Sequence, residues 1–285
     1  MKVAICVIGR LENRYAIEFV EYYKNLGIDH IYIGDNNYDG EEYFEYTLQR
    51  YIDENFITII SYRNIINCQE SYYENTYKDY RTLYDYMIFI DFDEFITLVK
   101  DSNIKEYLKR NTNYNVIKLN WMIYTDNNLI YDDGRLCLER FTKPMNIYKH
   151  INKYYPENHL IKCIIKCEFD SIRFNGNPHM IDLSYNKEIN NYKVCNSSFI
   201  NVQFVEDCCY EFNKDGTIEY SLAYIKHFMF KTIDEYVHNK LRRGTIEGGV
   251  EDMKQRYKFR FFKVNEKTPE KIQYCIDHNI DSDIL

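Results

Sequence analysis

Met87-Ile88-Phe89-Ile90-Asp91-Phe92-Asp93-Glu94-Phe95 is an apolar run that ends abruptly in three carboxylates. Its aromatic and β-branched residues predict a buried strand. Buried strands of this kind belong to parallel sheets covered on both faces, where ligands bind just beyond the carboxyl ends of the strands. The sequence therefore predicts that Asp91, Asp93 and Glu94 sit at a mouth rather than in the core. Three carboxylates within four residues repel one another, and a cation between them relieves the repulsion. Hard divalent ions such as Mg²⁺ or Mn²⁺ take oxygen ligands, Mg²⁺ commonly one or two carboxylates together with substrate phosphates. Taken alone, the same stretch also fits a solvated acidic turn.

The chain around this stretch alternates regularly. A strand is predicted at residues 3–8, a helix at 12–26 closed by Gly27, and a strand at 28–33. A helix at 41–53, a strand at 56–60 and a helix at 68–84 lead into the strand at 86–91. This β-α-β-α-β-α-β order predicts a parallel sheet with right-handed crossovers. Beyond Phe95 the periodicity loosens. Ser102 is placed to cap a short helix reaching Arg110, and strands are expected at 116–123, 136–141, 160–167 and 199–205. Thr232 with Glu235 forms a capping box, and Thr268 with Pro269 opens a last helix. The simplest organisation is one domain over residues 1–244 with a helical extension over 245–285 packed on it.

Composition narrows the functions. Among 285 residues, 36 basic against 44 acidic side chains leave a net charge of −8, which argues against nucleic acid as the main partner. No run approaches the ~18 consecutive apolar residues of a transmembrane helix. The N-terminus makes a poor signal peptide. Nine scattered cysteines without paired Cys-x-x-Cys spacing predict reduced thiols rather than zinc ligands, and with them a cytoplasmic protein. The 30 tyrosines accompany a general abundance of Ile, Asn and Lys and say little about function. Residues 253–263 are basic and aromatic within an acidic chain, which suits either peripheral contact with the inner face of a membrane or a helix packing its aromatics on the domain.

Strand ends in the first half supply a set of polar residues along one sheet edge: Arg10 and Glu12, then Asp35 and Asn36, then Asp91 and Asp93. A carboxylate or amide after the second strand can hydrogen-bond a ribose or base edge, although Asp35 equally suits an Asx turn. In the second half, His227 lies between a strand-like run and the capped helix, where an imidazole can complete a metal shell begun by Asp93. Lys231 is placed for phosphate oxygens, and Lys240, Arg242 and Arg243 can reach the same phosphates. His179 reads as a turn or core histidine.

Glu12-Asn13-Arg14, the run from Glu18 through Gly27-Ile28-Asp29-His30, and Asp35-Asn36-Asn37-Tyr38-Asp39-Gly40 together resemble the opening of the family 2-like and family 92-like glycosyltransferases. The similarity continues in Ile90-Asp91-Phe92-Asp93-Glu94-Phe95, in Glu139-Arg140-Phe141, in His227-Phe228-Met229-Phe230-Lys231-Thr232, and in Glu235, Lys240 and Arg243-Gly244. The chain departs from the pattern at Arg14, where the family has Glu, and at Tyr38, where Ser is common. The resemblance implies a GT-A fold, α/β with a central mostly parallel sheet flanked by helices, and transfer of a sugar from a nucleotide-diphosphate donor to a glycan or lipid-linked glycan acceptor. It implies Asp91 and Asp93 as the metal motif for Mn²⁺ or Mg²⁺, His227 as a further ligand and Asp35 on the nucleotide. It leans toward inversion, which requires a carboxylate base; Asp207, Glu139 and Asp126 are candidates. Pairing of Glu139 with Arg140 would make it a weaker base. Two other functions fit parts of the pattern: a haloacid-dehalogenase-type phosphatase with Asp91 as nucleophile, and a catalytically silent nucleotide or glycan binder.

Overall fold

The computed structural model describes residues 1–145, 156–174, 176, 178–182, 185, 193–202, 211, 217–241 and 260–282. Nine strands among them form one sheet: β1 (Val3–Gly9), β2 (His30–Asp35), β3 (Ile57–Ser61), β4 (Tyr86–Phe89), β5 (Glu94–Leu98), β6 (Val116–Ile123), β7 (Ile161–Lys166), β8 (Val194–Cys195) and β9 (Ala223–His227). Their spatial order is β3-β2-β1-β4-β7-β6-β9-β5, with β8 beside β6. Strands β1 to β4 pair in parallel, as the alternation of the first 91 residues requires. The antiparallel strand β7 then joins β4 to β6, and β9 runs parallel to β6.

Every residue of β1 is buried. Because side chains alternate across a strand, its two faces enter two cores. Val3, Ile5 and Val7 pack with Phe19 and Tyr23 of helix α1 (Asn13–Asn25) and Phe44 and Leu48 of α2 (Phe44–Asp53). Ala4, Cys6 and Ile8 pack with Tyr72, Tyr73 and Tyr77 of α3 (Gln69–Tyr80) on the opposite face. Gly27 closes α1 at φ +92°, a conformation that costs a glycine little. Helix α2 begins three residues later than its apolar pattern suggests. Glu41 is drawn instead to Arg10, and Glu42 accepts from the Asn13 backbone N–H.

Several sequence expectations fail for local reasons. Strand β5 follows the acidic turn directly, and the loosened periodicity after Phe95 does not reveal it. Asn103, not Ser102, caps α4 (Ile104–Lys109): its side chain accepts from the Glu106 N–H, while Ser102 donates to the Glu106 carboxylate. Residues 136–141 contain a short helix, α5 (Cys137–Arg140), instead of a strand. The Glu18 carboxylate of α1 accepts from the Cys137 and Leu138 N–H groups and caps its start, a contact no local pattern encodes. The strand expected at 199–205 is absent over the described part, where Asn201 makes one isolated bridge to Cys195; residues 203–205 lie outside the described set. A further short helix, α6 (Pro156–His159), precedes β7.

The end of the chain is tied down by charge as well as by apolar packing. Thr232 and Glu235 form the expected capping box at α7 (Ile233–Glu235), which continues as a π-helical turn over Tyr236–Leu241. The same Glu235 carboxylate accepts from both terminal guanidinium nitrogens of buried Arg140 at 2.8 Å and from the Tyr15 hydroxyl at 2.7 Å. Past residue 260, α8 (Phe261–Val264) sets Phe261 against Phe230 and Tyr236. Helix α9 (Pro269–Asp277), capped by Thr268, buries Lys271 against Asp126. Of the basic-aromatic segment, residues 253–259 lie outside the described set, and Phe261 is core. No helix among the described residues is long and apolar enough to cross a membrane. The seven described cysteines are free thiols.

Two substitutions probe this frame. A Cβ at Gly9 would meet the buried Phe92 ring at 2.6 Å, so Gly9→Ala must displace the acidic turn or the end of β1. Overpacking of this kind costs about 1–3 kcal/mol, expected as a lower urea midpoint at unchanged slope. Arg140→Met leaves the Glu235 carboxylate buried without its cation, a loss of about 3–5 kcal/mol. Adding Glu235→Gln to that variant should recover part of it in the same urea titration, and no recovery would mean that the pair does not carry the effect.

Candidate functional site

The acidic stretch sits where β4 hands over to β5. The turn is closed by its own atoms: the Glu94 N–H donates to the Asp91 carbonyl at 3.1 Å, and the Asp91 N–H donates to the Glu94 carboxylate at 2.9 Å. The three carboxylates then part. Glu94 is fully buried, contrary to a position at the mouth; it is the brace of the turn. Burial pushes its carboxyl well above the usual range against the pull of Lys162. Asp91 accepts from the Lys162 ammonium and the Gln69 amide, both at 2.9 Å. Asp93 faces the end of β9 and the segment that follows it.

Strand register decides what Asp93 meets. Antiparallel pairing of β5 with β9 sets Glu94 opposite His227, and the Phe228 N–H donates to the Asp93 carbonyl. One residue outside that register, Asp93 Oδ1 lies 3.4 Å from His227 Nε2, and its Oδ2 lies 3.3 Å from the Lys240 ammonium. Burial works against ionisation of Asp93, but Lys240 and then His227 hold its carboxyl well below the usual range. Burial lowers the His227 pKa, so the ring is held toward its neutral form, with Nδ1 buried and unpartnered. The Trp121 ring packs against this imidazole at 4.1 Å between centroids. His179 also packs edge-on against Trp121; its Nδ1 lies 3.0 Å from the Ile161 carbonyl, and burial pushes its pKa down to about 3.

After β9, Phe228, Met229 and Phe230 are buried and Lys231 turns the chain with φ +54°. A lysine in the left-handed region is uncommon, and such strain persists where surrounding contacts impose it. Here the capping box holds the next residue. Lys231 is 9% exposed, and its ammonium lies 4.1 Å from the centre of the Tyr15 ring. It makes no hydrogen bond or ion pair with any described residue. Burial lowers its affinity for a proton, but Tyr15, Asp93, Cys137 and Glu235 together raise the pKa. Lys231 opens onto a cleft between the start of α1 and residues 229–240, whose walls include Glu12, Tyr15, Glu235, Asn239 and Lys240.

The remaining residues of the expected set are brought to the neighbouring sheet edge, engaged with one another. Arg10 forms a two-bonded pair with Glu41 and stacks 3.8 Å from the Tyr38 ring centre. Asp35 forms the Asx turn, accepting from the Asn37 N–H, and its other oxygen takes Arg63 at 2.6 Å. Arg63 stacks in turn on Tyr43. The Asn36 amide donates to the Tyr62 and Ile65 carbonyls. Glu139 does not pair with Arg140, whose partners are Glu235 and Asp132; it is exposed on α5 and is not a wall of the cleft. Asp126 is buried in its ion pair with Lys271. Asp207 and Arg243 lie outside the described residues.

Of the metal set expected from sequence, Asp93 and His227 are adjacent, while Asp91 is turned to Lys162. Among the described residues no group of three or more His, Cys, Asp or Glu side chains is placed to hold a metal. The partners Lys162, Gln69, Tyr15 and Arg63 carry no sequence signal beyond a charge or amide near an apolar pattern. Lys162 within Ile161-Lys162-Cys163-Ile164-Ile165 is the nearest to one, because a charge in a buried strand needs a partner.

Comparison with known proteins supplies the class. No curated protein matches the sequence. Solved structures of TarS from S. aureus resemble the chain weakly. The complex of its residues 1–349 with UDP-GlcNAc shares 10% identity at a TM-score of 0.38, over 59% of this chain and 46% of that one. The complex with UDP shares 11% at 0.36, over 59% and 47%. The chain thus spans less than half the length of these structures. A family model for glycosyltransferase family 92 matches residues 2–241, almost the whole of the chain before its last helices. That match decides against the phosphatase alternative built on Asp91, and with the mostly parallel α/β sheet it agrees with a GT-A-like fold. The chain belongs to glycosyltransferase family 92.

Proposed function

We propose that the cleft beside Asp93 binds the diphosphate of a nucleotide-sugar donor together with a divalent cation. The observation that carries this reading is Lys231: a nearly buried ammonium without an anionic partner among the described residues, opening onto a cleft next to a carboxylate and an imidazole. An ammonium so placed is satisfied by an anion from outside the chain. Asp93 Oδ1 and His227 Nε2, 3.4 Å apart, suit two ligands of one small cation once the imidazole gives up its Nε2 proton. Manganese or magnesium fits this oxygen–nitrogen pair, with diphosphate oxygens and water as further ligands. When bound, such a cation stabilises the negative charge that collects on the departing diphosphate.

The chain's own groups would share that work. A sugar leaves through an oxocarbenium-like transition state while charge builds on the leaving group. Lys231 stands where that charge develops, held by Tyr15 and by a backbone that the capping box immobilises, so little reorganisation is needed. The stacked pairs Arg10–Tyr38 and Arg63–Tyr43 at the ends of β1 and β3 suit the flank of a nucleoside, with Asp35 acting by fixing Arg63. The acceptor proposed is a hydroxyl of a glycan or lipid-linked glycan. Inversion requires a carboxylate to take its proton, and Asp207 is retained for that role on the strength of its Glu206-Asp207 pair.

Calorimetry with UDP and GDP, with and without Mn²⁺, tests the reading. Wild-type protein should bind one of the two diphosphates more tightly when Mn²⁺ is present, and Asp93→Asn should abolish the metal-dependent part. Lys231→Met should weaken diphosphate binding by about 10- to 100-fold, the equivalent of one charge-assisted hydrogen bond of about 1.5–3 kcal/mol. Diphosphate binding that ignores Mn²⁺ and both substitutions would place the donor elsewhere.

A further inference from the structure

Lys240 occupies one face of the carboxylate whose other face would meet the cation. Its ammonium donates to Asp93 Oδ2 at 3.3 Å and to the Met229 carbonyl, while Asp93 Oδ1 faces His227. Lys162 holds Asp91 in the same way at 2.9 Å. Lys162 and Lys240 thus stand against Asp91 and Asp93, so each of the two carboxylates is already balanced by an ammonium of the chain. A dication arriving alone would gain one carboxylate already balanced by Lys240 and would lie beside that ammonium. A nucleoside diphosphate changes this balance, because it brings the missing negative charge and offers Lys240 a second partner. Lys240 is free to make that exchange. It sits on the π-helical turn, a rare geometry that recurs at functional positions, and its side chain is 14% exposed at the wall of the cleft.

We propose that Lys240 couples the two ligands: it neutralises Asp93 in the resting protein, turns to the diphosphate when the donor enters, and so makes cation binding depend on the nucleotide. This role presupposes Asp93 and His227 as the cation site. Linkage makes the coupling reciprocal, so the cation raises diphosphate affinity by the same factor. Lys240 is thereby a positioning residue that prevents the cation from settling before the substrate.

Free Mn²⁺ measured by electron paramagnetic resonance, with a protein-free UDP blank, reads the coupling without any turnover. Wild-type protein should bind Mn²⁺ weakly alone and about tenfold or more tightly with UDP, within the range usual for coupled sites. Lys240→Met should bind Mn²⁺ alone about tenfold more tightly than wild type and lose most of the enhancement by UDP. Lys240→Gln keeps a donor for the Met229 carbonyl and should behave alike, so it reports if the Met variant does not fold. Lys240 variants with wild-type Mn²⁺ affinity and full UDP enhancement would overturn the coupling and leave the Asp93–His227 site standing. A wild-type protein without UDP-dependent Mn²⁺ binding, or an Asp93→Asn variant that keeps it, would overturn the cation site and the coupling with it.

Discussion

Three carboxylates in four residues can close a tight turn only if each is given a partner. Glu94 is answered by the backbone of its own turn, Asp91 by Lys162 from the neighbouring strand, and Asp93 by His227 and Lys240 from the C-terminal half. The rest of the site depends on this division. It sends the three side chains in different directions, so that one of them, Asp93, meets Lys240 at the wall of the cleft. A buried carboxylate left without its partner costs several kcal/mol. The turn and the distant elements that answer it therefore hold each other in place.

The second support is the network around Glu235. One carboxylate closes the capping box, takes both arms of Arg140 and accepts from Tyr15, so it joins α1, α5 and the π-helical turn in a single buried knot. Lys231 sits immediately before this knot, in a backbone conformation a lysine seldom adopts. The rigidity of the knot is what allows an ammonium to remain nearly buried over an aromatic ring with no carboxylate of its own. Rigid donors aimed at developing charge are the economical form of electrostatic catalysis, since nothing has to reorient as charge moves.

Local pattern carried the fold a long way where chemistry and periodicity coincide. The apolar and turn pattern of residues 3–91 contains β1 to β4 and their helices, because a doubly covered parallel strand must be apolar throughout and each crossover helix shows its own face. Thr232–Glu235 and Thr268–Pro269 were equally legible, being contacts between residues three apart or adjacent. Pattern failed where a distant group supplies the local partner. Residues 136–141 look like a strand, yet they coil because Glu18 offers a cap from α1. Glu139 beside Arg140 suggested an ion pair, yet the guanidinium turns to Glu235, 95 residues away.

The sequence by itself determined an α/β protein with an acidic turn at the end of its fourth strand, a histidine and a lysine in fixed order behind it, and a resemblance specific enough to name the class. Those properties are carried by runs of neighbouring residues, and hydrophobic periodicity and short motifs are local. Only the tertiary structure decided which carboxylate meets Lys240 at the wall of the cleft, that Asp35 is spent on Arg63, and that Lys162 and Lys240 balance the acidic turn. Charge partners are chosen by distance in space. At 71 residues between Asp91 and Lys162 and 147 between Asp93 and Lys240, that distance is set by strand register and helix packing rather than by anything adjacent in the chain.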